Sequence, residues 1–177
     1  MYAFLEVDAA CLKATREKWM KYASDASSTV SVNFYEGCFA GCEKQLEGKL
    51  ATGDSIPALY GVFQAGEKTA AALVSIMYAR PKSADPWLKV LSVYVEPQLN
   101  VADVEPDPVK LAWIAATAIV GSLSLTYAAM PANELKVWAN VPMTKDFLIA
   151  VSTVLLKDDA DKFEVSSHGN WLVVKKK

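Results

Sequence analysis

The chain has 177 residues, 53% hydrophobic and 21% charged, with 18 Lys and Arg against 20 Asp and Glu, for a formal net charge of −2. This composition excludes a disordered chain, and its mildly acidic balance lacks the basic footprint of a general nucleic-acid binder. A single His argues against a multi-histidine metal site, three Cys make no disulfide framework, and the acidic residues in MYAFLEVDAACLKATREKW replace a basic leader, so the chain reads as cytoplasmic with reduced thiols.

Residues 2–7 (YAFLEV) read as a strand, and Asp8 can cap a helix from Ala9 whose apolar face is Cys11, Leu12, Thr15, Trp19 and Tyr22. SDASST at 24–29 is a loop. Asn33 and Glu36 have capping-box spacing and open a second helix running to about Leu50, with Phe39, Cys42, Leu46 and Leu50 on one side. Strands follow at 59–64 and 69–80 around a Gly-containing turn. The strand at 87–95 is apolar on both faces, which suits a central position. Pro97 ends it, and PQLNVADVEPDP at 97–108 is a polar loop.

A long apolar helix spans 109–130, and Pro131 stops it. The stretch from Leu111 to Asn133 carries no charge and has about the length of a membrane span. Lys110 and Lys136 flank it evenly, without positive-inside asymmetry. The sequence therefore reads as a central helix covered on both sides, with no membrane partner. Leu135, Val137, Ala139 and Val141 alternate with Lys136, Trp138 and Asn140 as a strand. Thr144 can cap a last helix with Phe147, Leu148, Val151 and Leu155 on its apolar face. Strand material at 163–165 and 171–174 closes the chain around His168-Gly169-Asn170. The order β-α-α-β-β-β-α-β-α-β, with no repeat and no linker, gives one α/β (α+β) domain over residues 1–177.

This succession resembles the GNAT (GCN5-related N-acetyltransferase) superfamily over nearly the whole chain. LKVWAN at 135–140 resembles the family's fifth strand, and FEVSSHGNWLVV at 163–174 its closing region. The resemblance implies a mixed, mostly antiparallel sheet flanked by helices, with a splayed fifth strand. It also implies acetyl transfer from acetyl-CoA to an amine. In VLSVYVEP at 90–97, Val93, Tyr94 and Val95 then face pantetheine, Gln98 stands at the first position of the pyrophosphate motif, and Asn140 ends the fifth strand.

Two departures stand against that implication. The family's pyrophosphate loop contains Gly, so that backbone N–H groups and a helix N-terminus can approach the phosphates. Here the loop has no Gly, and Val101 and Asp103 occupy the small-residue positions. Asp103, Glu105 and Asp107 repel a phosphate by roughly 1 kcal/mol or more per close pair. Pro106 and Pro108 remove two donors. The family's general-acid Tyr, seven residues past the Asn, is Phe147 here.

Glu96 is the candidate general base, against the plainer reading of a solvated carboxylate at a strand end. Tyr94 contacts pantetheine or packs in the sheet, with packing favoured. Cys38 and Cys42, one helical turn apart, have metal-ligand spacing but read better as core, so no metal is expected. His168 reads as part of a turn rather than as a base. Trp138, out of phase with the buried alternation, covers a helix, lines a cleft or meets a second copy; an exposed aromatic there favours a homodimer. The sequence thus reads as an N-acyltransferase with an altered cofactor site acting on a small-molecule or protein amine. The alternative is an inactive binding or scaffold protein with the same fold, and an unrelated α+β binding protein is a third reading.

Overall fold

Asp8 starts the first helix as its sequence suggests, its Oδ1 accepting from the Cys11 N–H at 2.7 Å. The computed structural model describes residues 1–25, 29–99, 107–139, 142–159 and 161–177, without the side chains of 29–31 and 142–147. The elements are β1 (Tyr2–Glu6), α1 (Ala9–Asp25), α2 (Thr29–Leu46), β2 (Ile56–Gln64), β3 (Ala72–Ala79), β4 (Trp87–Val95), α3 (Pro108–Leu125), β5 (Glu134–Trp138), α4 (Pro142–Leu155), β6 (Phe163–His168) and β7 (Trp171–Lys176). They form one seven-stranded sheet in the order β1-β2-β3-β4-β5-β7-β6. Every pairing is antiparallel except β4 with β5. This mixed α/β layout is the one expected from the element order, with the closing material folded as a hairpin turned by Gly169 at φ +58.

Helix α1 buries Leu12, Thr15, Trp19 and Ala23. Thr15 and Trp19, one turn apart, grip the same residue of the chain: Ala70 donates its N–H to Thr15 Oγ1 at 3.1 Å, and Trp19 Nε1–H donates to the Ala70 carbonyl at 3.0 Å. Helix α2 begins at Thr29, so the capping-box pair Asn33 and Glu36 lies inside it rather than at its start. Its buried stripe is Tyr35, Cys38, Phe39, Cys42 and Gln45, while Leu46 is exposed. The phase differs from the expected one because Gln45 is drawn inward. Its Nε2 donates to the carbonyls of Ala58 and Ile76 on adjacent strands.

Two clusters make the core. One, under α1 and α2, joins Trp19, Tyr35 and Phe39 to Leu59, Phe63 and Leu73; the three rings meet edge-on at 5.6–5.7 Å. The other lies on the opposite face and joins Val62, Val74, Ile76 and Val90 to Ile114, Ile119 and Leu148. Strand β3, between them, is buried at all eight positions.

Helix α3 is covered on one side only, which corrects the expected two-sided cover. Ile114, Ala118, Ile119, Ser122 and Leu123 face the sheet, whereas Val109 and Trp113 are 64% and 62% exposed. By length and composition this helix is apolar enough to cross a membrane. It ends at Leu125, five residues before Met130, where Thr126 Oγ1 bonds back to the Leu123 carbonyl. Gly121 lets it close on β1: a Cβ there would fall 2.2 Å from Phe4 Cγ. Helix α4 begins at Pro142, so Thr144 is not its cap.

Candidate functional site

Strands β4 and β5 part company. They pair only from Trp87–Glu134 to Val90–Val137, yet β4 continues to Val95. At the parting point the β3–β4 register shifts, since Ile76 faces Val90 and Ser75 faces Ser92. Leu91 is the extra residue of a bulge, which bends the strand. Beyond it, the Glu96 N–H donates to the Ala71 carbonyl at 2.9 Å. Peptide groups alternate sides along a strand, so the main-chain groups of Val93 and Val95 turn to the edge away from β3. That edge has no strand neighbour among the described residues.

The edge is not wholly free. The Tyr35 hydroxyl, from α2, donates to the Val95 carbonyl at 3.0 Å. Tyr94 packs against the α1–α2 cluster, and burial pushes its hydroxyl pKa up. Val93 is exposed. Gln98 sits half-buried in a 3-10 turn over Pro97–Leu99, and its Oε1 is buried without a hydrogen-bond partner among the described residues. Asn140 lies outside the described residues, as do Val101, Asp103 and Glu105 and the side chain of Phe147.

At the start of α3 the backbone donors of residues 109–111 are all in use. Pro108 has none, Asp107 Oδ1 accepts from Val109 at 3.0 Å and from Lys110 at 3.1 Å, and the Leu111 N–H bonds to the Asp107 carbonyl. These are the donors that would otherwise be orphaned and could hold an anion. The helix end therefore satisfies itself, and the residues present do not fit a pyrophosphate there.

Glu96 is 6% exposed, not the solvated carboxylate of the plainer reading. Its Oε1 accepts from Lys110 Nζ at 2.6 Å. Burial pulls the Lys110 pKa down, but the hydrogen bond and charge of Glu96, helped by Tyr2 and Asp107, outweigh it and hold the ammonium above its ordinary value. Tyr2 is raised in turn by its own burial. The pair lies in a polar recess of about 230 Å³ that includes Lys18, Thr69 and Gln98.

The other singled-out residues divide by burial. Cys38 and Cys42 are buried, and desolvation pushes their thiols up to about 11 and about 12. No group of three His, Cys, Asp or Glu able to hold a metal occurs among the described residues. His168 is exposed at the end of β6, and Trp138, 40% exposed, meets Trp171 edge-on at 4.9 Å. Tyr35 and Gln45 were not found from sequence. Tyr35 lies one turn before Phe39 on the buried stripe, the one signal that could have flagged it, and nothing local marks its hydroxyl for Val95.

The sequence matches no protein-family model and no curated protein. Among solved structures, the chain is similar to the crystal structure of the Campylobacter jejuni N-acetyltransferase PseH, with a TM-score of 0.43 and 10% sequence identity, over 98% of this chain and 95% of that one.

Proposed function

We propose that this chain is an N-acyltransferase of the GNAT type, moving an acetyl group from acetyl-CoA to an amine. The observation that carries the reading is the β4 edge at Val93–Val95, left without a strand partner after β5 diverges. Such an edge offers main-chain hydrogen bonds to an extended ligand, as exposed sheet edges do for peptides. In this reading acetyl-CoA supplies the activated thioester. Val93 and the Val95 N–H hold its amide-bearing arm, and the polar head of Gln98 lies where the arm leaves the strand. Glu96 receives the amine proton, directly or through water, once Lys110 releases it. The phosphates gain little from the α3 N-terminus, which Asp107 already caps.

A second reading, a binding module without catalysis that works through protein contacts, draws on a specific observation. Asp107 on the helix end, Lys110 on Glu96 and Tyr35 on Val95 each fill a contact that the reaction would need.

Calorimetry with acetyl-CoA and acetyl-pantetheine, which lacks the phosphates, separates the two. The acyltransferase reading expects both to bind with affinities within about threefold of each other. No binding of either at millimolar concentration removes it and leaves the binding module. Acetyl-CoA tighter by about a hundredfold would mean that the phosphates are held and the helix-end accounting is wrong.

A further inference from the structure

On the sheet face opposite α3 and α4, the side chains of β4, β5, β7 and β6 form a lattice set by register. One row holds Trp87, Glu134, Lys175 and Glu164, and the next holds Lys89, Lys136, Val173 and Ser166. Trp138, Trp171 and His168 make the third. All of these residues except Trp138 line a trough of about 460 Å³, within the range of small-molecule sites.

The charges in this lattice do not cancel evenly. Lys136 Nζ bridges Glu134 at 3.1 Å, and Lys175 stands between Glu134 and Glu164 in register. Lys89 makes no ion pair among the described residues. It also stands directly opposite Lys136, an arrangement that repels. Arg80, at the exit of β3, adds a third cation. It is the one non-glycine with positive φ among the described residues, at +55, a backbone state that carries strain.

The three cations crowd one indole. The Lys136, Arg80 and Lys89 head groups lie 4.1, 4.5 and 5.6 Å from the Trp87 ring centre. The Trp87 Nε1–H is buried with no acceptor among the described residues. Among the described residues Glu134, on Lys136, is the one carboxylate paired with these cations, and Lys89 and Arg80 have none. The Lys89 head group also lies 5.9 Å from the ring centre of Trp171, which offers aromatic surface in the same trough.

We propose that this trough binds a mononucleotide, with its phosphate at Lys89 and Lys136 and its base against Trp171. Aromatic surface beside a cationic row is the arrangement that accepts a base and its phosphate together. A single nucleotide fits better than a strand, because the next phosphate would run onto the Glu134–Glu164 row and the whole chain is acidic. The trough lies at the start of β4 and the free edge at its end, so this inference does not depend on acyl transfer.

The test is calorimetry of the full chain with UMP and AMP, set against uridine, adenosine, inorganic phosphate and an eight-nucleotide oligouridylate. The mononucleotides should bind at least about tenfold tighter than the nucleosides or phosphate. Lys89→Gln and Lys136→Gln should each weaken them about tenfold with Tm unchanged, while Lys157→Gln, a remote exposed lysine, should not. Trp171→Leu should weaken them as well. The proposal is overturned if nucleosides or phosphate alone bind as well as nucleotides. It fails equally if the lysine variants bind normally, if only the oligomer binds, or if nothing binds at millimolar ligand.

Discussion

Strand β3 buries all eight of its residues, whereas β5, two places along the same sheet, buries only Leu135 and Val137. The first has α1 and α2 on one face and α3 and α4 on the other; the second keeps its inner face under the helices and leaves Lys136 half-buried and Trp138 exposed. One half of the sheet is thus scaffold on both faces. The other half has a face whose side chains the core does not constrain, and there Lys89 and Lys136 stand opposed, a pairing that packing alone does not require. The boundary falls at the Leu91 bulge, where β4 leaves β5.

Paired truncations give the sharpest contrast between the halves. Trp19 is fully buried, with its N–H bonded to Ala70 and its ring against Tyr35 and Phe39. Trp19→Ala should cost about 3–5 kcal/mol in urea unfolding. Trp138→Ala, in the open half, should cost no more than about 1 kcal/mol. Equal losses would mean that the bare face is structural after all.

The contact between α3 and β1 should give the next largest effect. Gly121→Ala pushes a methyl into the Phe4 ring, and overpacking of this kind costs about 1–3 kcal/mol. Phe4→Leu, which clears the ring edge, should recover part of that loss in the double variant. Strict additivity of the two substitutions would show that they do not meet.

Much of this contrast was legible in the residues. The alternation of Leu135, Val137 and Ala139 with Lys136 and Trp138 gives β5 and its open face directly, and the apolar run of 87–95 gives β4. Asp8 and its helix follow from local chemistry. The failures are tertiary. Asn33 and Glu36 have the spacing of a cap, but α2 begins earlier, at Thr29, and Val32 packs on the α1–α2 cluster. The composition of α3 suits full burial, yet its partners are the sheet and α4, and Val109 and Trp113 stay exposed. Gln45 looks like a surface residue until two strand carbonyls are seen to need its amide. At the candidate site, the acidic loop pointed to a poor phosphate cradle, and Asp107 occupies that helix end. That Lys110 would close on Glu96, and Tyr35 on Val95, no spacing could tell, because those partners are 14 and 60 residues apart.

Asp107→Ala tests the helix end itself. Losing the cap should cost about 1 kcal/mol. It also frees the Val109 and Lys110 N–H groups and removes a carboxylate, so acetyl-CoA should gain affinity over acetyl-pantetheine relative to the parent. If the ratio stays fixed, the phosphates do not approach this end of α3.

The smallest effect belongs to the Glu96–Lys110 pair and shows mainly in its pH dependence. Lys110 keeps its proton above the ordinary lysine value in the folded chain. A raised pKa of this kind adds stability that is complete below about 10.5, the unfolded value, and fades as pH rises through the folded one. The Tm difference between the parent and Lys110→Met should therefore be flat from about pH 7 to 10 and shrink above it. Lys110→Arg, whose guanidinium keeps its charge past pH 12, should hold the difference where lysine loses it, if the longer head still reaches Glu96. Because Lys110 is partly open to solvent, the effect is screened and should fall as salt is raised. A difference that vanished already at neutral pH would mean that the Glu96 carboxylate does not rely on Lys110, leaving it free to take a proton from an amine.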